Sequence, residues 1–563
     1  MKVIIVGGVA GGATAAARIR RLNEHAEITV FERSGYISYA NCGLPYYIGD
    51  VITDPEELTL QTPESFFKRF RINMKIHHEV ISIHPERKTV SVKNLENGEI
   101  FEEKYDKLIL SPGAKPTQPR LPGVGMDKLF TLRTVEDTFR IKEYINKNHP
   151  KSAVLAGGGF IGLELAENLR ELGMDVTIVQ RPKQLMNPFD PDMASMIHNE
   201  MRKHGIKLVL GYTVEGFKEK DNGVEVLLKD NPSLQADMVV LAIGVTPDTA
   251  LAKEAGLELG IKGSIVVNDR METSVPDIYA AGDAVQVKHY VTGDDALISL
   301  AGPANKQGRI IADNICGGDS RYLGSQGSSV IKVFDMTAAT TGINETNAKK
   351  SGLEVDTVIL SPMSHAGYYP GGKVMTMKVV FEKETYRLLG AQIIGYEGVD
   401  KRIDVLATAI HAGLKATQLK DLDLAYAPPY SSAKDPVNMA GFMIDNIAKG
   451  TLKQWHLEDM DKISRDKSVV LLDVRTVGEF NRGHMDGFKN IPVDELRERI
   501  NEIEKGKPVY LICQSGLRSY IASRILEGNG YETYNFSGGF RFYDAVVNDR
   551  ALIERAYACG MDY

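Results

Sequence analysis

Two cysteines stand where sulfur chemistry would use them. Cys42 lies in Ser38-Tyr39-Ala40-Asn41-Cys42-Gly43-Leu44-Pro45-Tyr46, followed by Tyr47. Without a second cysteine in the same turn it closes no local disulfide. It can form a mixed disulfide with a substrate thiol, or a sulfenic acid. A place near a helix N-terminus would depress its pKa and favour the thiolate. Cys513 opens Cys513-Gln514-Ser515-Gly516-Leu517-Arg518-Ser519, between an apolar strand-like run, Val509–Ile512, and a helix-forming stretch, Tyr520–Glu527. That order aims backbone N–H groups and a helix N-terminus at the sulfur, stabilising a thiolate or a persulfide anion. Arg518 adds positive charge for an anionic donor. Cys316 and Cys559 sit in no motif and read as structural or incidental.

Glycine-rich loops come next. Gly157-Gly158-Gly159-Phe160-Ile161-Gly162 fits G-x-G-x-x-G, follows the strand Ala153–Leu155, opens the helix Leu163–Leu172 and precedes the strand Val176–Val179. Glycine there lets backbone N–H groups approach a pyrophosphate at the helix N-terminus. The start of the chain repeats the pattern. Strand Val3–Val6 runs into Gly7, Gly8, Ala10, Gly11 and Gly12, with Val9 where the middle glycine belongs. Glu32 ends the next strand, where a carboxylate would bond a ribose hydroxyl, and Arg33 follows it. This apolar opening could pass for a signal peptide, but its glycines read as a phosphate-binding turn. Two such units imply two nucleotides. The position matching Glu32 in the second unit is Gln180, followed by Arg181. No carboxylate there would repel a 2′-phosphate, so NADH and NADPH are both compatible.

The elements around these residues fall into blocks. A chain of 563 residues suggests about four domains. Short Val/Ile/Leu strands alternate with helices at first, as in a doubly wound α/β sheet: Ile28–Phe31, Lys107–Leu110, Met238–Ala242. Past Ser325 strand follows strand, Val330–Phe334, Val355–Leu360, Val374–Phe381 and Leu388–Ile394, which reads as an antiparallel sheet followed by a helix, Lys401–Ala412. Past Gly450 a further α/β block begins with the strand Val469–Leu472. A formal net charge of −7 offers no basic face for nucleic acid. No apolar run is long enough for a membrane span. Four cysteines are too few for a secreted disulfide scaffold and suit a cytoplasmic protein.

Three segments carry resemblances. Thr273-Ser274-Val275-Pro276-Asp277-Ile278-Tyr279-Ala280-Ala281-Gly282-Asp283 resembles the second FAD fingerprint of the two-dinucleotide-binding flavoproteins, which implies that Asp283 bonds the ribityl chain. Ser111-Pro112-Gly113-Ala114 and Ala242-Ile243-Gly244 resemble that family's crossover turns. The implied domains are FAD-binding over 1–112 and 245–325, NAD(P)-binding over 113–244, dimerisation over 326–450, and a last domain over 456–563. Val6 to Thr14, Asn41 to Tyr46 and Ala425-Tyr426-Ala427-Pro428-Pro429-Tyr430-Ser431 resemble the coenzyme A disulfide reductases, a single-cysteine branch of the pyridine-nucleotide disulfide oxidoreductases. The rival NADH oxidase and peroxidase branch typically carries a histidine where Ala10 stands here.

The resemblance implies a homodimer whose active site takes Tyr368 and Tyr426 from the opposite subunit. It also implies that coenzyme A meets Thr14, Arg18, Arg21, Ser38, Asn41, Asn305 and Lys434. Arg18 and Arg21, three apart, share one helix face and could clamp phosphates. Finally, Val470-Leu471-Leu472-Asp473-Val474-Arg475, Glu479-Phe480, Gly483-His484 and the Cys513 loop resemble a rhodanese domain, whose loop is one residue shorter than that of related phosphatases. Together these imply an FAD-dependent NAD(P)H reductase of coenzyme A disulfide, persulfide or polysulfide, with Cys513 carrying sulfane sulfur. The alternatives are a reductase for thiol balance with an accessory rhodanese domain, and an NADH oxidase.

Overall fold

The computed structural model describes residues 1–220 and 223–558, so Cys559 lies outside the described residues. The chain forms two compact units, residues 1–183 with 205–327, and residues 184–204 with 328–563.

The first unit holds two five-stranded parallel sheets. One runs in the order Ile278–Ala280, Lys107–Leu110, Lys2–Val6, Glu27–Phe31, Asn73–Lys75. The other runs Leu129–Thr131, Met238–Leu241, Ser152–Ala156, Asp175–Gln180, Lys207–Leu210. Both faces are covered, so the central strands are continuous apolar runs; Val3, Ile4 and Ile5 are wholly buried. Each sheet sends one central strand through a glycine loop into a helix, Ala10–Leu22 in one and Phe160–Glu171 in the other. The two crossover turns pair with each other, Ala114–Pro116 running antiparallel to Val245–Pro247. Two three-stranded antiparallel sheets, one of them His78–His84, Thr89–Asn94 and Ile100–Lys104, are not apparent from the sequence. In each of them one outer strand, Ile100–Lys104 or Val214–Lys220, is partly exposed and carries Lys and Glu, which obscures the apolar pattern.

The second unit holds an antiparallel sheet in the order Ser329–Val333, Met336–Gly342, Leu388–Gly395, Met375–Glu382, Val355–Leu360. Met336–Gly342 escapes a sequence reading because, after Met336, it is built of Thr, Ala and Gly. A second, parallel sheet runs Gln454–Trp455, Thr533–Phe536, Val509–Ile512, Val470–Asp473, Lys489–Asn490. This C-terminal domain is fastened to the edge strand Val355–Leu360. Ile359 N–H donates to Ser537 Oγ at 3.0 Å, Gln454 Nε2 to the Thr357 carbonyl at 2.7 Å, and His456 Nε2 lies 3.2 Å from Asp356. Capping an edge in this way also removes a site for stray strand pairing.

Helix Pro191–Lys203, which the sequence reading kept with residues 113–244, packs in this second unit. Its buried His198 accepts the Leu185 N–H at Nε2, 2.9 Å, so Nδ1 carries the proton it donates to Asp549, 2.8 Å away on helix Gly539–Ala558. Arg202 reaches the same carboxylate at 2.5 Å. Among the described residues no helix is long and apolar enough to cross a membrane.

Candidate functional site

The two glycine loops of the first unit are built alike. Gly7 has φ +95°, and a Cβ there would meet the Ser111 carbonyl oxygen at 2.1 Å. Gly157 has φ +119°, and its Cβ would meet the Ala242 carbonyl oxygen at 2.2 Å. Only glycine lets each loop tuck beneath its crossover turn. A side chain at the end of the next strand then holds the loop. Glu32 accepts the N–H of Gly8 at 2.9 Å and of Ser34 at 2.9 Å, and Gln180 accepts that of Gly158 at 3.1 Å. Neither following helix has a side-chain cap or an acidic residue in its first turn. Their leading N–H groups are therefore offered to an anion, which fits a dinucleotide pyrophosphate at each loop.

Two of the supporting charges are paired within the protein. Asp283, expected on the flavin ribityl chain, is 2.6 Å from Arg133 Nη2. Arg33 pairs with Asp248 at 2.9 Å. Gly113 accepts the Asp248 N–H and Gly244 the Thr117 N–H, so both glycines shape the crossover ribbon. Arg181 is exposed.

Cys42 sits in a single 3-10 turn, Asn41–Gly43, that leads into the short helix Leu44–Ile48. Ser38, in left-handed backbone at φ +44°, ties this segment to the first glycine loop by donating its N–H to the Gly8 carbonyl at 2.9 Å. Tyr47, where a second cysteine would make a disulfide pair, instead packs edge-on against Phe139 at 5.7 Å. The expected depressed thiol pKa is overturned. Cys42 is an exposed residue, but protein crowds its sulfur. That desolvation, and then the Glu164 carboxylate, push the thiol above its usual value against the pull of Arg133. A helix of barely one turn is too short to reverse this.

Around the substrate positions, Thr14 Oγ1 donates to Asn305 Oδ1 at 2.5 Å. Arg18, expected as half of a phosphate clamp, is ion-paired with Asp313 at 2.8 Å, while Arg21 is exposed. Tyr368, Tyr426 and Lys434 belong to the second unit. There the two phenols share a hydrogen bond of 2.6 Å and both face solvent, at 75% and 45% exposure.

The Cys513 loop is also in the second unit. Cys513 directly follows strand Val509–Ile512 and is 1% exposed. Its Sγ accepts the Gly516 N–H at 3.1 Å and the Ser519 hydroxyl at 3.2 Å. Gly516, at φ +99°, turns the chain into helix Leu517–Glu527. Arg518, expected to supply positive charge for an anionic donor, is ion-paired: its two Nη groups donate to the two oxygens of Glu479 at 2.7 and 2.8 Å.

Comparison with known proteins bears on both loops. Models for the pyridine nucleotide-disulphide oxidoreductases, for their dimerisation domain and for rhodanese-like domains match residues 1–308, 328–436 and 456–545. The chain belongs to the pyridine nucleotide-disulphide oxidoreductases. The coenzyme A disulfide reductase of Staphylococcus aureus (strain JH9) is 39% identical over 443 residues, which is 78% of this chain and 99% of that protein. The crystal structure of reduced CoADR-RHD from Bacillus anthracis has a TM-score of 0.95 at 48% identity and covers 98% of both chains. That of a NAD-dependent persulfide reductase from A. fulgidus has a TM-score of 0.90 at 38% identity, covering 96% of this chain and 100% of that one. Membership of this oxidoreductase family implies FAD and NAD(P)H, and the dimerisation domain points to a homodimer.

For an oxidoreductase of this family, Glu164 is the residue the sequence reading missed. It lies one turn into helix Phe160–Glu171, which packs on the short helix after Cys42. Burial, then repulsion from Glu167, push its carboxyl up to about 7. Its signal in the sequence is a lone carboxylate inside Phe160-Ile161-Gly162-Leu163-Glu164-Leu165-Ala166. Above that pH the ionised carboxylate raises the Cys42 thiol. Glu164→Gln removes the charge, so the alkylation profile of Cys42 should shift to lower pH. Anaerobic iodoacetamide modification should run about threefold faster at pH 7.5. Below about pH 6, where Glu164 is already protonated, variant and parent should converge. Parallel curves over the whole range would remove Glu164 from the cysteine's surroundings.

Proposed function

We propose that this protein is an NAD(P)H-dependent reductase of coenzyme A persulfide and coenzyme A disulfide, working through a Cys42–coenzyme A mixed disulfide, with Cys513 as a sulfur-carrying cysteine. The observation that carries the reading is the lone Cys42 beside a dinucleotide loop, with Tyr47 excluding an internal disulfide. The first glycine loop with Glu32 and Asp283 would hold FAD, which when bound would supply the two electrons, and the second loop with Gln180 and Arg181 would hold the nicotinamide nucleotide.

The thiolate of Cys42 attacks the coenzyme A sulfur of the persulfide. The S–S bond breaks, hydrosulfide leaves, and Cys42–S–S–CoA remains; with the disulfide, the leaving group is coenzyme A thiolate. Two electrons and one proton then return the Cys42 thiolate and free coenzyme A. Because the free thiol is held above its usual value, Glu164 at about 7 is suited to exchange the proton that Cys42 loses before attack. The phenols Tyr368 and Tyr426, donated by the partner subunit in a homodimer, protonate the leaving sulfur. Thr14, Arg21, Ser38, Asn41, Asn305 and Lys434 hold the nucleotide end of coenzyme A, with Arg18 shared between substrate phosphate and Asp313.

Anaerobic oxidation of NADH and of NADPH, with coenzyme A persulfide and coenzyme A disulfide at matched concentrations, tests this. Faster turnover of the persulfide, with sulfide released, is the expected result. Faster turnover of the disulfide would reduce the role to thiol recycling. Oxygen uptake without either substrate would return the NADH oxidase reading.

A further inference from the structure

Arg518 of the Cys513 loop and Arg475, whose Nη1 donates to Gln514 at 3.4 Å, are each ion-paired with a carboxylate, while the exposed Arg541 donates its backbone N–H to the Gln514 carbonyl. Arg475, about 1% exposed, sends Nε and Nη2 to Asp473 at 2.9 and 2.7 Å. It lies over the Phe540 ring at 3.8 Å. Arg518 is forked onto Glu479 as described, and the pair is sheltered, its side chains 31% and 21% exposed. Glu479 is also fixed from its own side. Its Oε2 accepts the N–H of Thr476 at 3.0 Å and the Thr476 hydroxyl at 2.9 Å, capping helix Val477–Arg482. The hydrogen bond from Arg518 outweighs the cost of burial and holds the Glu479 carboxyl down to about 2, so the pair stays ionised throughout the neutral range. In direct contact with the sulfur, among the described residues, are one N–H, one hydroxyl and the start of a helix; Arg518 acts on it only through space and shares its charge with Glu479.

We infer that the Cys513 site takes sulfur from hydropersulfides, R–S–SH, in preference to the thiosulfate dianion, and that Glu479 sets this preference by holding Arg518. The inference rests on the reading of Cys513 as a sulfur-carrying cysteine. In the transfer, the Cys513 thiolate bonds the terminal sulfur of R–S–SH and the S–S bond breaks. Its electron pair stays on R–S⁻, which takes the persulfide proton. The products are Cys513–S–S⁻ and R–SH, the sulfane sulfur keeps its oxidation state, and no outside reductant is needed. A hydropersulfide thus brings at most one charge and its own proton. Thiosulfate brings two charges against a thiolate and must release sulfite. The second charge of thiosulfate is repelled by the thiolate, and Arg518, held on Glu479, offsets less of that repulsion than an unpaired arginine would. The recessed sulfur adds a steric term: a slender S–SH end reaches it more easily than a tetrahedral sulfonate.

The test uses the full-length flavoprotein without nicotinamide nucleotide and follows sulfur gain on the Cys513 peptide by mass spectrometry, with glutathione persulfide or thiosulfate as donor. The native protein should load at least about tenfold faster from the persulfide. Glu479→Gln keeps an oxygen to cap helix Val477–Arg482 but frees Arg518. Thiosulfate loading should then rise about tenfold while persulfide loading changes less than about twofold. Adding Arg518→Gln should return thiosulfate loading to its native rate. Equal loading of the native protein by both donors, or a change of both by the same factor in Glu479→Gln, would overturn the inference and leave the carrier role intact. No loading by either donor would instead remove the carrier role on which it rests.

Discussion

Cys42→Ser should lower NAD(P)H oxidation with coenzyme A persulfide or disulfide by at least about a thousandfold, a loss of about 4 kcal/mol of transition-state stabilisation. Serine is nearly isosteric, so the 3-10 turn Asn41–Gly43 should form as before. A hydroxyl at neutral pH is neither ionised nor able to exchange into an S–S bond. The dinucleotide loops are held by Glu32, Gln180 and the crossover carbonyls, none of which involves Cys42. Flavin content should therefore be unchanged, and an artificial electron acceptor should still be reduced. Activity of the variant above about a tenth of the parent's would mean that reducing equivalents reach the substrate without a mixed disulfide. Loss of flavin together with activity would assign Cys42 to cofactor binding. Neighbouring tyrosines do not rescue the variant chemically: the Tyr46 phenol, beside burial and Glu164, is pushed up to about 12 and stays protonated.

What the sequence revealed was what neighbouring residues encode. The strand, glycine loop and helix around Gly7 and around Gly157 are contiguous, and so is the loop from Cys513 to Ser519. Each was legible because a backbone shape and its chemistry lie in one short segment. What the sequence did not reveal has a different origin. The fold brings Glu479 to Arg518 from another helix. It brings Asp313 to Arg18 from helix Ala301–Ile315. The Cys42 thiol looked acidic because a helix follows it, but that helix is five residues long and Glu164 comes from elsewhere. Helix Pro191–Lys203 joined the second unit through His198 and Asp549, which are 351 positions apart. Charge that is settled by a distant partner is invisible to spacing and propensity, whereas the backbone geometry of a glycine loop is local.

The largest stability effect should come from Lys378→Met. Lys378 stands on strand Met375–Glu382 at 1% exposure, with Nζ 2.8 Å from Asp192, 2.8 Å from Glu345 and 3.2 Å from Asp190. Burial alone would lower its pKa, but the three carboxylates outweigh that and raise it. In return Lys378 helps hold Asp190 and Glu345 below the usual carboxylate range against the cost of burial. Asp190 has further support: the Thr346 N–H and hydroxyl, and Gln392 Nε2 at 2.6 Å. Asp192, where burial wins, is raised. Methionine keeps the length of the stem and removes the charge, leaving carboxylates that face one another with no cation between them. Breaking such a buried arrangement costs about 3–5 kcal/mol.

The sign of the pH dependence follows. In the parent, the depressed carboxylates add stability above their unfolded pKa values, and that contribution fades as pH falls. In the variant those carboxyls rise instead, and protonation relieves their repulsion. The deficit in thermal midpoint should be largest at pH 7–8 and shrink toward pH 5. Adding Asp192→Asn to Lys378→Met should recover part of the loss at pH 7. A deficit of equal size at both pH values would mean that the lysine stem contributes through packing and that its charge is dispensable. Because the same cluster ties residues 190 and 192 to the antiparallel sheet, its loss should also appear as faster amide exchange across helix Pro191–Lys203.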